Sequence, residues 1–583
     1  MLSWGVALGA AHALGALATS RTFFQPDEYW QTLEIAHRIV FGYGYQTWEW
    51  RGEAPIRSVV HPALFVPLYA VLKETGLDSS AYLMSTAPAL WQAAITTAGD
   101  VAFFRLARRL GGEGLAYAWA IVHLLSMYGT YTYTRPFSNS TEAALCSIAL
   151  LYWPLTPAAA AHGSLLVFDV GVFAAFAAVL LRPTSLLLWA FLGGKALRDA
   201  AQWGGPKRTA ALVAHAACVG SLVLCAGIAL DSWYYGERVV TVWNFFYENV
   251  VQSLSVFYGA HPWHWYLSQG LPLILTVAMP WAQKGWSNAL YQPSSSAMAT
   301  LGGLCAWTVG AYSLLSHKEA RFLQPLLPIF HLFAASAIAP PSGGWGTAWR
   351  AFPRALRFLL LAQVPVTLYL AAFHAKGQIE VVQYVHAIAT HRTTFGFLMP
   401  CHSTPWQSHM HARVLEMTDM DSELMSGDVG RAWFLACPPP RNKDPATYWD
   451  QSDFFFADPV RYLRDRFPAR VDTQFPPMRQ YHFHKPRPTN ATDAVSQHVQ
   501  SDLGWRHTWP SHLVLYTSLL DMRESDGGDT VGAFLRRRGY VETRRIWNAL
   551  SHPDWNRRGD IVVLQFEDER TRFFKNHTVV PGI

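Results

Sequence analysis

The sequence predicts a mainly α, polytopic membrane protein that ends in a soluble α/β domain. Three observations carry that prediction. Apolar residues make up 51% of the 583 residues. Charged residues make up 15%, well below the ~25% usual for soluble domains, so lipid is the solvent for much of the chain. Apolar runs recur at bilayer length up to residue 373, and beyond it they shorten to strand length.

Taken in order, Leu2 to Thr19 is an apolar stretch about one bilayer long, either a first span or a cleaved signal peptide. Both readings put the next residues on the lumenal side. Residues 20–60 form a polar, aromatic loop too long for a simple connector. His61 to Leu72 is short and reads as a re-entrant or interfacial piece. Further apolar runs follow at 83–104, 114–134, 140–157, 162–181, 183–197, 209–230, 264–282, 298–316, 322–339 and 352–373. With the first segment they make about eleven transmembrane helices.

Basic residues test that threading. With a cytosolic N-terminus, Arg105, Arg108, Arg109, Lys195, Arg198, Lys207, Arg208, Lys284, Arg350, Arg354 and Arg357 all fall on the cytosolic side. The same count gathers the unusual connections on the lumenal face. These are the loop holding Asp27, Arg135-Pro136-Phe137-Ser138-Asn139, Arg182-Pro183-Thr184, the loop 231–265, and His317-Lys318-Glu319-Ala320-Arg321. Residues 1–373 thus read as the transmembrane catalytic domain, and 374–583 as a soluble lumenal α/β domain. Its strands are expected at 395–399, 433–436, 513–516 and 561–566, and its helices near 458–466 and 529–538. Asn490-Ala491-Thr492 and Asn576-His577-Thr578 are glycosylation sequons compatible with that side.

The formal charge of +6 comes without any Lys/Arg run, which argues against nucleic acid as a partner. Neither a Walker loop nor a Gly-x-Gly-x-x-Gly fingerprint is present, against an ATP-driven pump or a Rossmann dehydrogenase. Four cysteines lie in apolar runs as packing residues. Cys401 and Cys437 lie in the polar region and could be bridged in an oxidising lumen.

The chemistry centres on Gln25-Pro26-Asp27-Glu28-Tyr29-Trp30. Pro26 suits a first helical position, and the helix dipole favours acids in the first turn. Asp27 and Glu28 therefore either cap a helix or supply a base at the membrane surface. On a regular helix, Gln31 and Glu34 would share a face with Asp27. His317, Lys318 and Arg321 could hold a phosphate at headgroup depth, with Arg135 and Arg182 in support, or serve as snorkelling anchors. His261, Trp263, His264 and Trp265 read as an interfacial aromatic belt or as a sugar-stacking surface. Cys401, His402, His409 and His411 match no standard zinc spacing, and Asp419-Met420-Asp421 is a chance-level Asp-x-Asp, so no metal site is expected.

At Pro26-Asp27-Glu28-Tyr29-Trp30-Gln31, Phe41 to Tyr45, Thr47-Trp48-Glu49-Trp50, Ile56-Arg57-Ser58, Arg182-Pro183-Thr184, Phe257-Tyr258-Gly259, His261 to Tyr266, Ser316 to Phe322 and Pro400-Cys401-His402-Ser403-Thr404-Pro405, the chain closely resembles glycosyltransferase family 22. These are lipid-phosphosugar-dependent enzymes of GT-C type, and the later motifs point to the branch that builds glycosylphosphatidylinositol (GPI) anchors. The resemblance runs to about residue 411.

It implies an inverting α-1,2 transfer of the third mannose from dolichyl phosphate mannose to the GPI precursor, in the endoplasmic reticulum lumen. Asp27 would be the base and Glu28 its partner, with His317, Lys318, Arg321, Arg135 and Arg182 on the departing phosphate. Trp30, His261, Trp263, His264 and Trp265 would hold the acceptor. No cofactor is required, because the phosphate is already a good leaving group. Where the family often has His before Pro-Asp-Glu, this chain has Gln25. A sister mannosyltransferase, acting on a fourth GPI mannose or on an N-glycan precursor, and a lipid-sugar flippase are the rival readings. The need for a partner subunit stays open.

Overall fold

Every apolar run expected to be helical carries helix, and proline breaks several of them. The computed structural model describes residues 4–51, 54–252, 254–416, 429–440, 448–479, 484–486 and 507–568. Asp419 to Asp421 and the sequons at Asn490 and Asn576 lie outside the described residues. The runs expected at 83–104 and 114–134 form one continuous element, Ala81–Leu124, bent at Gly111 and Gly112. Gly112 has φ +77°, which a Cβ would disfavour. The second half ends at Leu124, and a separate short helix, Met127–Thr132, follows with Ser126 as its cap.

The run at 264–282 is divided into Tyr266–Gly270, Leu271–Leu275, Thr276–Ala278 and Met279–Leu290. Pro272 and Pro280 each start a new piece, because proline has no N–H to continue the previous one. Pro328 likewise opens Leu327–Ser336 within the run at 322–339. Among the described residues, Gly205–Tyr235, Ala297–Leu314 and Arg354–Ile388 are long and apolar enough to cross a bilayer. Leu222 is 69% exposed and Phe358 71%, which marks lipid-facing surface rather than core.

The bundle is tightly packed. Gly99 lets Ala81–Leu124 approach Ser138–Tyr152 so closely that a Cβ would sit 2.6 Å from the Cα of Ala144. Leu8, Phe103, Trp119, Leu150, Leu327 and Phe333 belong to one continuous core.

Beyond residue 394 the chain builds a five-stranded sheet in the order 432–434, 395–397, 512–516, 561–566, 540–546. The first three strands are parallel and the last two antiparallel to their neighbours. Four of the strands fall where the sequence placed them, the edge strand Tyr540–Ile546 was not expected, and helices Pro459–Arg466 and Val531–Arg537 match the two expected there. Side chains alternate along a strand, so the two sheet faces bury different partners. Leu513, Leu515, Val562 and Leu564 pack with Trp433 and Trp509 inside the α/β unit. Val514, Tyr516, Ile561 and Val563 join the core that holds Tyr29, Trp30 and Leu33. One face of the sheet therefore seats the loop that carries Asp27.

Candidate active site

Pro26–Glu28 is a single helical turn with Pro26 at its start. A π turn, Tyr29–Leu33, follows before the helix Glu34–Phe41, which Gly42 closes at φ +81°. The extra residue of the π turn rotates the chain, so the strip expected from Asp27 through Gln31 to Glu34 is split. Gln31 stays on the Asp27 side and donates to Glu49 at 3.3 Å. Glu34 turns away, fully buried, and accepts the backbone N–H groups of Tyr45, Gln407 and Ser408 at 2.9, 3.2 and 2.8 Å. Burial pushes Glu34 up to about 7, against N–H donors that favour its charged form.

Asp27 and Arg321, 294 residues apart in the chain, meet at 2.5 Å through Oδ2 and Nη1. Arg321 also grips Glu319, Nε to Oε2 at 2.6 Å and Nη2 to Oε1 at 2.9 Å. Nδ1 of His317 faces the Gly259 carbonyl at 2.9 Å and its Nε2 faces Glu319 at 3.1 Å. Both partners only accept, so the protonated ring is the form that satisfies both contacts. Burial works against that charge, but the bonds to Glu319 and Gly259 raise the His317 pKa overall. Burial also works against the charge of Glu319, yet Arg321 and His317 outweigh it and hold the carboxyl well below the usual carboxylate range.

Four of the expected assignments change. Glu28 does not accompany Asp27: it is buried and pairs with Arg135 at 3.2 Å. Burial pushes Glu28 up to about 7, opposed by the Arg135 guanidinium. Arg135 is fully buried and spends its other donors on Thr22 and the Tyr131 carbonyl, so it tethers loops rather than facing a ligand. Lys318 is 2% exposed, and its ammonium donates to the carbonyls of His261 and Leu315, which locks the two loops together. Trp30 is 3% exposed among Tyr45, His402, Trp406 and Phe434, with its N–H on the Thr404 carbonyl at 3.0 Å. It anchors the Asp27 loop to the α/β unit and leaves no face for a sugar.

His261 stacks on Trp265 at 4.7 Å. Trp263 and His264 are exposed, Trp263 to 67%. Arg182 pairs with Glu142 at 3.2 Å and reaches Ser138 at 3.2 Å. It lines an open cleft together with Gln31, Arg57, His61 and Thr241.

Three charged residues of that region, Glu49, Arg57 and Asp231, escaped the sequence reading of the site. Glu49 takes the guanidinium of Arg57 at 2.6 and 3.0 Å. The backbone under Arg57 is held by Tyr235, whose hydroxyl donates to its carbonyl at 2.7 Å. Asp231 accepts from Ser58, from the Val59 N–H and from Thr241, fastening both walls of the cleft. The signal was present: Glu49 and Arg57 stand inside two of the motifs quoted above.

Cys401 is bridged to Cys437. Among the described residues, Cys401, His402 and Cys437 form the one group with metal-ligand side chains close together, and its two thiols are spent in that bridge. His411 instead meets His37 at 2.9 Å and Asp78 at 3.4 Å.

A mainly helical, apolar bundle packed against a small α/β unit is a membrane fold of GT-C type. The chain is similar in fold to ArnT of Cupriavidus metallidurans bound to undecaprenyl phosphate, with a TM-score of 0.53 and 12% identity over 97% of this chain and 98% of that one. Residues 6–411 match the Alg9-like mannosyltransferase family, and this chain belongs to it. It is 34% identical to GPI mannosyltransferase 3 of Yarrowia lipolytica over 95% of both chains. It is 32% identical to GPI alpha-1,2-mannosyltransferase 3 of Mus musculus, over 87% of this chain and 88% of that one. The human protein of the same name is also 32% identical, over 77% and 74%.

Proposed function

We propose that this chain is a GPI α-1,2-mannosyltransferase that adds the third mannose from dolichyl phosphate mannose, in the endoplasmic reticulum lumen. The observation that carries the reading is the Asp27–Arg321 pair at 2.5 Å, beside a cleft with two further arginines. In the proposed reaction the acceptor hydroxyl oxygen forms a bond to the sugar C1, and the bond from C1 to the phosphate oxygen breaks. The proton goes to the Asp27 carboxylate and the electron pair leaves with the lipid phosphate. Single displacement inverts a β-linked donor into an α-mannoside. The arginines steady the charge that develops on the departing phosphate.

The names borne by relatives over most of the chain support the acceptor and linkage. About eleven spans with a cytosolic N-terminus would place Asp27, Arg321 and the α/β unit together in the lumen. The domain division at residue 373 belongs to the same proposal. The test is mannose transfer by the purified chain from dolichyl phosphate mannose to defined GPI acceptors. The reading expects a two-mannose acceptor to become a three-mannose product and a three-mannose acceptor to be left unchanged. Preferred extension of the three-mannose acceptor would overturn it.

A further inference from the structure

Beyond residue 388, the large apolar side chains exposed among the described residues are Trp547, Leu550 and Trp555, at 41%, 79% and 56%. All three stand in one loop, 547–560, which joins the strands Tyr540–Ile546 and Ile561–Phe566. Single apolar residues scattered on a surface need no explanation, whereas a group gathered on one loop marks an interaction site.

The loop lies against the apolar run Arg354–Ile388 at the point where that run leaves lipid. Leu361, Leu368 and Phe373 are 55%, 56% and 51% exposed, but Ile379, Val382 and Val385 are buried in the core that the sheet shares with the Asp27 loop. The bilayer surface therefore falls near Phe373. The Leu550 N–H donates to the Tyr369 hydroxyl oxygen at 3.0 Å, and the Lys376 N–H donates to the Asn548 carbonyl at 3.3 Å. The rings of His374 and His552 stack at 6.2 Å. Tyr369 precedes Phe373 by one helical turn, about 6 Å along the axis. The loop tip thus reaches past the end of the span, and its exposed side chains continue the lipid-facing surface of the helix.

The charges of the loop fit the same place. Arg558 lies over the face of Trp555 at 5.3 Å and donates to the His552 carbonyl at 2.8 Å, the arrangement of a snorkelling anchor. Arg557 is paired with Asp554 at 3.3 Å. An apolar and aromatic surface whose charges are already matched suits a bilayer better than a charged protein partner.

We propose that the loop 547–560 dips into the membrane leaflet on its own side of the bilayer, with Leu550 in the acyl region and Trp547 and Trp555 at headgroup level. Ile546 and Ile561, at the base of the loop, belong to the core that holds Tyr29, Trp30 and Leu33. The insertion therefore sets the height above the bilayer of the sheet face that seats the Asp27 loop. It holds whichever sugar and acceptor the site takes.

The test uses the full chain with Cys218→Ala and Cys225→Ala, which remove the exposed thiols. A nitroxide is attached at Leu550→Cys, Trp555→Cys or Arg536→Cys, and each protein is reconstituted into phosphatidylcholine vesicles. Arg536 is exposed on Val531–Arg537, a helix packed on the opposite face of the sheet. Collisions with molecular oxygen, which concentrates in hydrocarbon, are compared with collisions with a nickel chelate, which stays in water. The oxygen-to-nickel ratio should be at least about tenfold higher at 550 than at 536, with 555 between them. High salt should leave that order unchanged. Equal ratios at 550 and 536 would overturn the insertion. Weak collision with both reagents at 550 would also overturn it, since protein from a second copy would then cover the loop. A ratio at 550 that falls to the 536 value in high salt would overturn apolar insertion in favour of a purely electrostatic contact.

Discussion

Replacing Arg321 with lysine keeps the charge and removes the fork. Arg321 makes three bonds, one to Asp27 at 2.5 Å and two to Glu319 at 2.6 and 2.9 Å. A lysine ammonium is a compact point charge and cannot span both carboxylates with the same geometry. It will settle on the doubly held Glu319 and leave Asp27 without its partner. A hydrogen bond to a charged group is worth about 1.5–3 kcal/mol. The side chains of Arg321 and Asp27 are 11% and 22% exposed, so solvent screening is small. At about 1.4 kcal/mol per tenfold in rate, Arg321→Lys should lower kcat/KM for mannose transfer about 10- to 150-fold. The readout is the initial rate with dolichyl phosphate mannose and a two-mannose acceptor, beside a thermal unfolding curve showing an intact fold. A folded Arg321→Lys enzyme within twofold of wild type would refute the claim that this pair organises the site.

Glu34→Gln sets an amide N–H₂ among three backbone N–H donors and should loosen the seat of the Asp27 loop on the α/β unit by about 1–3 kcal/mol. Faster amide exchange at residues 404–411 would report it. Gly285→Ala drives a methyl to within 1.8 Å of the Phe333 carbonyl oxygen, and overpacking of this kind costs about 1–3 kcal/mol. A lowered Tm in detergent, with substrate affinities unchanged, is the expected result. The raised His317 pKa means that the stabilisation from its charged contact with Glu319 is fully present below the ordinary histidine value and is lost as pH rises through the raised one. kcat/KM should therefore fall on an alkaline limb above that ordinary value, and His317→Gln should flatten the limb.

Much of this was legible in the sequence because it depends on local pattern. Apolar runs gave the helices, strand-length runs gave the sheet, and Pro26 marked the start of the turn that presents Asp27. Charge threading brought Asp27 and Arg321 to one face across 294 residues. What sequence could not supply was the choice of partner. Glu28 and Asp27 are neighbours, yet one helical step sends Glu28 inward to Arg135 and leaves Asp27 on Arg321. Trp30 looked like a sugar platform until its contact with Thr404, 374 residues away, buried it. The π turn at Tyr29–Leu33 has no local signature, and it alone moves Glu34 from the expected strip to the α/β unit. Glu49 and Arg57 were visible as motif residues, but their pairing depends on the fold of the long loop.

Asp27→Asn tests the central claim most directly. The side chain keeps its size and its acceptor oxygen toward Arg321 but loses the ability to take the acceptor's proton. Folded, purified Asp27→Asn protein should bind dolichyl phosphate mannose and transfer mannose at least about a hundredfold more slowly than wild type, the lower end of what a general base contributes. Transfer at the wild-type rate would contradict Asp27 as the base.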